Sequence, residues 1–255
     1  MNSTVSKAIY SNQTDEEDLL VLNIRFIAYV CIMMPLSTIG FILNGFTIAV
    51  LLHPRMRNST NVYLTALSVA NIIYLLFFLI SYSFRYMFSY DTFKNNILLK
   101  VFNINGYENF INMIYPYSNP ITTTFQLFAI YLTCAVTVDR WIYLKWPLKA
   151  DSICTIKSTI RVILILFAFC VIYNFPRWFE VETSRNNSSF YQARPTSLYM
   201  NVYYQMVYQQ YCYYIFVYGL PFFVLLIVNI GIIKELIVTK RRKNNLLGKK
   251  NHKKG

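Results

Sequence analysis

The chain has 255 residues, of which 56% are hydrophobic and only 14% charged, and it carries a formal net charge of +13. That charged fraction is far below the quarter or so found in soluble domains, which excludes an ordinary soluble enzyme and indicates a membrane protein. The positive residues do not gather on one face as a nucleic-acid footprint would. They fall in separate loops, so no nucleic-acid partner is expected.

Residues 1–25 are polar and contain the acidic cluster Asp15, Glu16, Glu17 and Asp18, with glycosylation sequons starting at Asn2 and Asn12. Five largely apolar segments follow, at about 26–52, 62–84, 113–138, 160–175 and 211–238. A bilayer core about 30 Å thick takes about 20 apolar residues in a helix, so these are read as transmembrane helices. The fold class expected is therefore all-α, a polytopic helix bundle occupying 26–239, with a basic tail at 240–255. The first span itself directs insertion, without a cleaved leader.

Between the spans, positive charge alternates. Arg55 and Arg57 follow the first span, Lys145, Lys149, Lys157 and Arg161 surround the gap after the third, and Lys240, Arg241, Arg242 and Lys243 follow the fifth. The positive-inside bias puts these three regions in the cytoplasm and the amino terminus outside. The segment 177–210, with sequons at Asn186 and Asn187, is then also outside. The Asn58-Ser59-Thr60 sequon lies inside and is expected to be unmodified.

Polar groups in hydrocarbon face a bundle interior and pair there. Asn44 in the first span and Asn71 in the second, within LTALSVANIIYLL, are each expected to hydrogen-bond a neighbouring helix. Pro35, Pro116, Pro120, Pro176 and Pro221 are expected to kink or interrupt helices. No acidic residue lies at mid-span, which weakens a proton-coupled transporter. The sequence has no HExxH and no GxSxG, so no enzyme is read here. Five cysteines, at 31, 134, 154, 170 and 212, show no metal-ligand spacing, and no cofactor or metal is implied.

The third span ends at once in Asp139-Arg140-Trp141, followed by Trp146-Pro147-Leu148. By themselves those charges suit an interfacial ion pair beside a tryptophan anchor. Together with Asn44, LSVAN around Asn71 and Pro221 in the fifth span, they resemble the class A, or rhodopsin-like, G-protein-coupled receptors from the first span onward. The resemblance implies five helices of a seven-helix fold. It also implies that Asp139 holds Arg140 in the inactive state and that Arg140 turns to a heterotrimeric G protein on activation. Trp141 stands where tyrosine is usual, and Pro147 and Leu148 match the loop that docks on the G protein.

The stretches MRNSTNVYLTALSVAN, YPYSNPITTTFQ, LTCAVTVDRW, WPLKA and YNFPRWFEVE are similar to those of invertebrate receptors for FMRFamide-type neuropeptides. A short amidated peptide ligand is implied, with a pocket offering aromatic surface and carboxylates near its outer rim. Candidates are Thr122, Phe125 and Gln126 in the third span, and Trp178, Glu180 and Glu182 after the fourth. Plain solvated loop charge explains the two acids equally well.

Four departures from the class accompany the resemblance. The usual disulfide between the outer end of the third helix and the second outer loop is missing, because 177–210 contains no cysteine. Asn71 and Ala129 stand where an aspartate and a serine help hold sodium, so no sodium site is expected. Asn229 replaces the fifth-helix tyrosine that meets the switch arginine. Finally, the class has a sixth and a seventh helix, and the sequence is read as lacking them.

Such a chain is expected to leave the Asn44 and Asn71 amides poorly matched, to be retained partly in the endoplasmic reticulum rather than reach the plasma membrane, and not to signal alone. The alternatives are a five-helix isoform that pairs with a full-length receptor as a dimer, and a small channel or transporter subunit. Orientation has a direct check. Glycosidase should shift the gel mobility of the membrane-expressed chain through Asn2, Asn12, Asn186 or Asn187, whereas a glycan on Asn58 alone would mean the opposite orientation.

Overall fold

The computed structural model describes residues 20–56, 58–85, 87, 104–185 and 191–252, with 104–108 and 242–252 described by backbone alone. The sequons at Asn2, Asn12, Asn186 and Asn187, together with Arg57, lie outside the described residues. Five helices are long and apolar enough to cross a membrane: α1 (Leu20–Leu51), α2 (Ser59–Ser83), α3 (Asn109–Lys145), α4 (Ile156–Phe179) and α5 (Val202–Arg241). Helical backbone begins before α3, at Ile104, and continues after α5 to His252. Both helices therefore start earlier than their apolar runs. The polar residues ahead of α3 and the tyrosine-rich residues ahead of α5 continue the helix without adding to its hydrophobic signal.

Helix α3 is the axis of the bundle. Its most apolar window is 39% buried, against 6 to 17% for the other four. Leu127, Phe128, Leu132 and Val136 recur at helical spacing and pack with Tyr63 and Ala70 of α2, Cys170 of α4 and Val217 of α5. Large side chains elsewhere point away from the bundle, such as Leu43, Ile172 and Ile227. That arrangement suits a protein whose solvent is lipid.

Cross-helix contacts fix the directions. Asp139 near the end of α3 meets Ser59 at the start of α2, while Ser118 near the start of α3 meets Ser81 at the end of α2, so these helices run antiparallel. Along α5, the contacts Tyr131 to Phe216, Cys134 to Pro221 and Trp141 to Gly231 advance together, so α3 and α5 run parallel. The chain thus alternates through the bundle as the loop charges imply.

Two of the prolines follow wide π-helical turns. Pro35 comes just after Ile27–Met33, and Pro221 just after Tyr214–Gly219. A π turn shifts hydrogen bonding from the fourth to the fifth residue back, which helps a helix pass a residue with no N–H to give. Pro116 and Pro120 lie within continuous α3. Pro176 coincides with a tight 3-10 turn, Phe175–Phe179, that closes α4.

The two intramembrane amides find each other. Asn71 donates to Asn44 Oδ1 at 3.2 Å, and Asn44 donates to the Gly40 carbonyl at 2.7 Å. The amides are therefore matched within α1 and α2 themselves, and the expectation of poorly matched groups is corrected. The all-α bundle has one addition. A small antiparallel hairpin, β1 (Val181–Arg185) and β2 (Tyr191–Pro195), lies between α4 and α5.

At the opposite end of the bundle, Trp141 seals α3 to α5. A Cβ on Gly231 would come within 2.6 Å of Trp141 Nε1, so only glycine admits the indole there. Lys145 lies over both the Trp141 ring, at 4.6 Å, and the Trp146 ring, at 4.5 Å. Gly231→Leu should therefore lower the melting temperature of the purified chain in detergent by overpacking, at a cost of about 1–3 kcal/mol. Trp141→Ala in the same chain should recover much of that loss, which a helix-propensity effect would not allow.

Candidate functional site

Chemistry-bearing residues gather at the two ends of α3. At the Trp141 end, Asp139 is buried, with 5% of its surface exposed. Its two oxygens accept from the Ser59 hydroxyl at 3.1 Å and the Thr60 hydroxyl at 2.7 Å. Ser59 also shares a 2.6 Å hydrogen bond with Thr159 of α4. Asn58 caps α2, its side chain accepting from the Asn61 N–H, so Ser59 and Thr60 occupy the first helical turn. The carboxylate thus sits at a helix amino terminus, where the dipole adds to the two hydroxyl donors.

Arg140 is exposed beside it. The hydrogen bonds of Asp139 come from α2 and not from its neighbour, which differs from the pairing that the resemblance implied. Successive residues on a helix point about 100° apart, and here Asp139 faces the first turn of α2 while Arg140 is exposed. Pro147 starts a short helix, Pro147–Ile153, on which Leu148 is 95% exposed. Tyr143 donates to the Cys154 carbonyl at 3.3 Å and ties this loop back to α3. Burial and the nearby Asp139 carboxylate push the Cys154 thiol up to about 11, so at neutral pH it is an inert packing group.

At the other end, the hairpin and four helices enclose a cavity of about 540 Å³. Tyr82 comes from α2 and Arg85 from just beyond it, Asn119 and Gln126 from α3, Arg177 and Glu180 from the end of α4 onward, and Gln209 and Tyr213 from α5. Glu180 is 2% exposed, and its Oε1 accepts from the Tyr204 hydroxyl at 2.8 Å and the Gln209 amide at 3.1 Å.

Of the six pocket candidates, Gln126 and Glu180 line this cavity. Thr122 is buried and donates to the Ser118 carbonyl. Phe125 packs on Phe128 and Phe167. Trp178 lies edge-on to Tyr117 outside the cavity, and Glu182 pairs in register with Arg194 on the hairpin. Arg85 and Arg177 were missed. An arginine in FPRWFE, at the end of an apolar span, was the available signal.

Amide hydrogen bonds, and no disulfide, hold the hairpin to α3. Asn109 Oδ1 accepts from the Tyr191 N–H at 2.9 Å, and Asn112 donates to the Tyr191 carbonyl at 3.0 Å. Both asparagines lie on one face of α3, three residues apart. All five cysteines are free.

The chain belongs to the family described as serpentine type 7TM GPCR chemoreceptor Srw, whose model matches residues 31–255. It is 26% identical over 235 residues to the FMRFamide receptor of Drosophila melanogaster, a match covering 89% of this chain and 41% of that protein. It is also 26% identical over 151 residues to the FMRFamide peptide receptor frpr-18 of Caenorhabditis elegans, over 59% of this chain and 32% of that one. The chain spans less than half the length of these curated relatives.

Replacing Asn109 and Asn112 together by alanine removes two hydrogen bonds of about 1 kcal/mol each, so amide exchange in the strands Val181–Arg185 and Tyr191–Pro195 should rise roughly tenfold or more. Exchange in the middle of α3 should stay unchanged. Reductant should leave the hairpin of the unaltered chain as protected as before.

Proposed function

We propose that the chain forms the ligand-binding and G-protein-facing part of a class A receptor for a short amidated neuropeptide of the FMRFamide type. The observation that carries this reading is the placement of a polar and aromatic cavity and an exposed arginine at opposite ends of one central helix. The names of the two relatives supply the peptide class, and the alternating loop charge supplies the orientation, with the cavity outside and Arg140 in the cytoplasm. Residues 1–25 are then extracellular, 26–239 form the membrane bundle, and 240–255 begin an inner loop at the plasma membrane. The role is that of a receptor and not of an enzyme.

In this reading the peptide occupies the cavity under the hairpin, where Glu180, Gln126 and the surrounding tyrosines offer hydrogen bonds and ring faces. A ligand shifts a receptor only by contacting its two states differently. Helix α3 touches the cavity through Gln126 and carries Asp139 and Arg140 at its other end, so a small turn or slide of α3 changes both ends together. Arg140 and Leu148 are the groups that meet the G protein. Exposed Leu148 offers it an apolar contact, and Arg140 offers hydrogen bonds and charge.

The test separates binding from coupling. With the sixth and seventh helices of the fly relative joined to the chain, Arg140→Ala should reduce peptide-stimulated nucleotide exchange on the G protein to the basal level. Binding of labelled FMRFamide should be unchanged. Equal loss of both would mean that Arg140 is structural, and absence of peptide binding from the unaltered chain would sink the ligand assignment.

A further inference from the structure

A basic peptide calls for carboxylates, yet among the described residues the cavity under the hairpin is lined by two guanidinium groups, Arg85 and Arg177, and by one carboxylate, Glu180. Glu180 directs its Oε1 to Tyr204 and Gln209. Arg177 is held differently. Its guanidinium carbon lies 5.7 Å from the Tyr208 ring centre and 5.6 Å from that of Tyr213, a cleft between two aromatic faces. Its Nε is buried without a hydrogen-bond partner. Native structures rarely leave a charged donor so, because a buried N–H that has given up water and gained no acceptor is costly.

The position is a formed one. Arg177 lies in the tight Phe175–Phe179 turn that follows Pro176, so its backbone is fixed at the junction of α4 and the hairpin. Tyr208, one wall of the cleft, is itself anchored by donating to the Tyr173 carbonyl at 2.6 Å. An arginine fork pre-organised in this way suits an acceptor with two oxygens, and a carboxylate supplies them in the matching plane.

We infer that Arg177 is the anion-recognising residue of the ligand cavity and that the peptide this receptor takes presents a carboxylate to it. This deepens the peptide-receptor reading and rests on it. The carboxylate has two chemical sources, an acidic side chain near the amidated end, or an unamidated carboxyl terminus that would keep the peptide-receptor reading but replace its amidated end. Either would approach the guanidinium from the cavity, where the Glu180 Oε1 is already engaged by Tyr204 and Gln209.

Four peptides distinguish the outcomes when competed against labelled FMRFamide on membranes containing the full 255-residue chain. They are FMRFamide itself, FMRFamide extended by one Glu, FMRFamide extended by one Gln, and FMRF with a free carboxyl end. One of the two carboxylate-bearing peptides should bind about tenfold tighter than its neutral counterpart, the scale of one charge-assisted hydrogen-bonded pair. Which of them does so names the source. Arg177→Gln should abolish that preference while retaining FMRFamide binding, and Arg177→Lys should restore part of it.

Equal affinity for acidic and neutral peptides would overturn the role of Arg177 and leave the peptide-receptor reading standing. A preference that survives in Arg177→Gln would also overturn it. If no peptide bound to a chain that remains monodisperse in detergent, the receptor reading itself would fall, and this inference with it.

Discussion

The buried carboxylate of Asp139 is the constraint on which the Trp141 end of the bundle depends. A carboxylate removed from water must be given donors, and here they come from two hydroxyls in the first turn of α2, with Thr159 of α4 joined through Ser59. One side chain therefore ties three helices. The next residue, Arg140, about 100° further round the helix, is exposed. Arg140 lies at the surface, and α2 and α4 are the elements that hold Asp139.

Helix α3 transmits this constraint along the bundle. It carries the core residues Leu127, Leu132 and Val136, lines the cavity with Gln126, clamps the hairpin with Asn109 and Asn112, and seats Trp141 against Gly231. Its contacts with α5 stay in step from Tyr131 to Trp141. A rigid rod with discrete seats at both ends is suited to two alternative packings, which is what coupling between distant sites requires. The hairpin clamp is made of two hydrogen bonds that join Asn109 and Asn112 to Tyr191.

Five membrane helices were legible because hydrophobic runs of that length have few other uses. Their starts were less legible, since Ile104 and Val202 precede the apolar runs that carry the signal. The pairing of Asn44 with Asn71 was readable as a need for partners, but not as a need that each satisfies for the other. Asn58-Ser59-Thr60 read as a sequon, whereas these residues are the cap and first turn of α2 and the cradle of Asp139. Local sequence reports such a triplet's composition and not what folds against it. The hairpin had no apolar alternation to announce it, because backbone pairing and two asparagines on α3 hold it. Acids were sought in the cavity on the strength of the expected ligand, and Arg177 was not considered. Its setting between two tyrosine rings exists only once α4 and α5 are brought together.

The central claim is that Asp139 is held by α2 and not by Arg140. Double-mutant cycles on the purified chain, read as unfolding free energy in mixed detergent, test it most directly. Asp139→Asn and Thr60→Val should couple by about 1–2 kcal/mol, the worth of a hydrogen bond to a charged group, while Asp139→Asn and Arg140→Ala should be additive. Strong coupling between Asp139 and Arg140, with additivity between Asp139 and Thr60, would contradict the account.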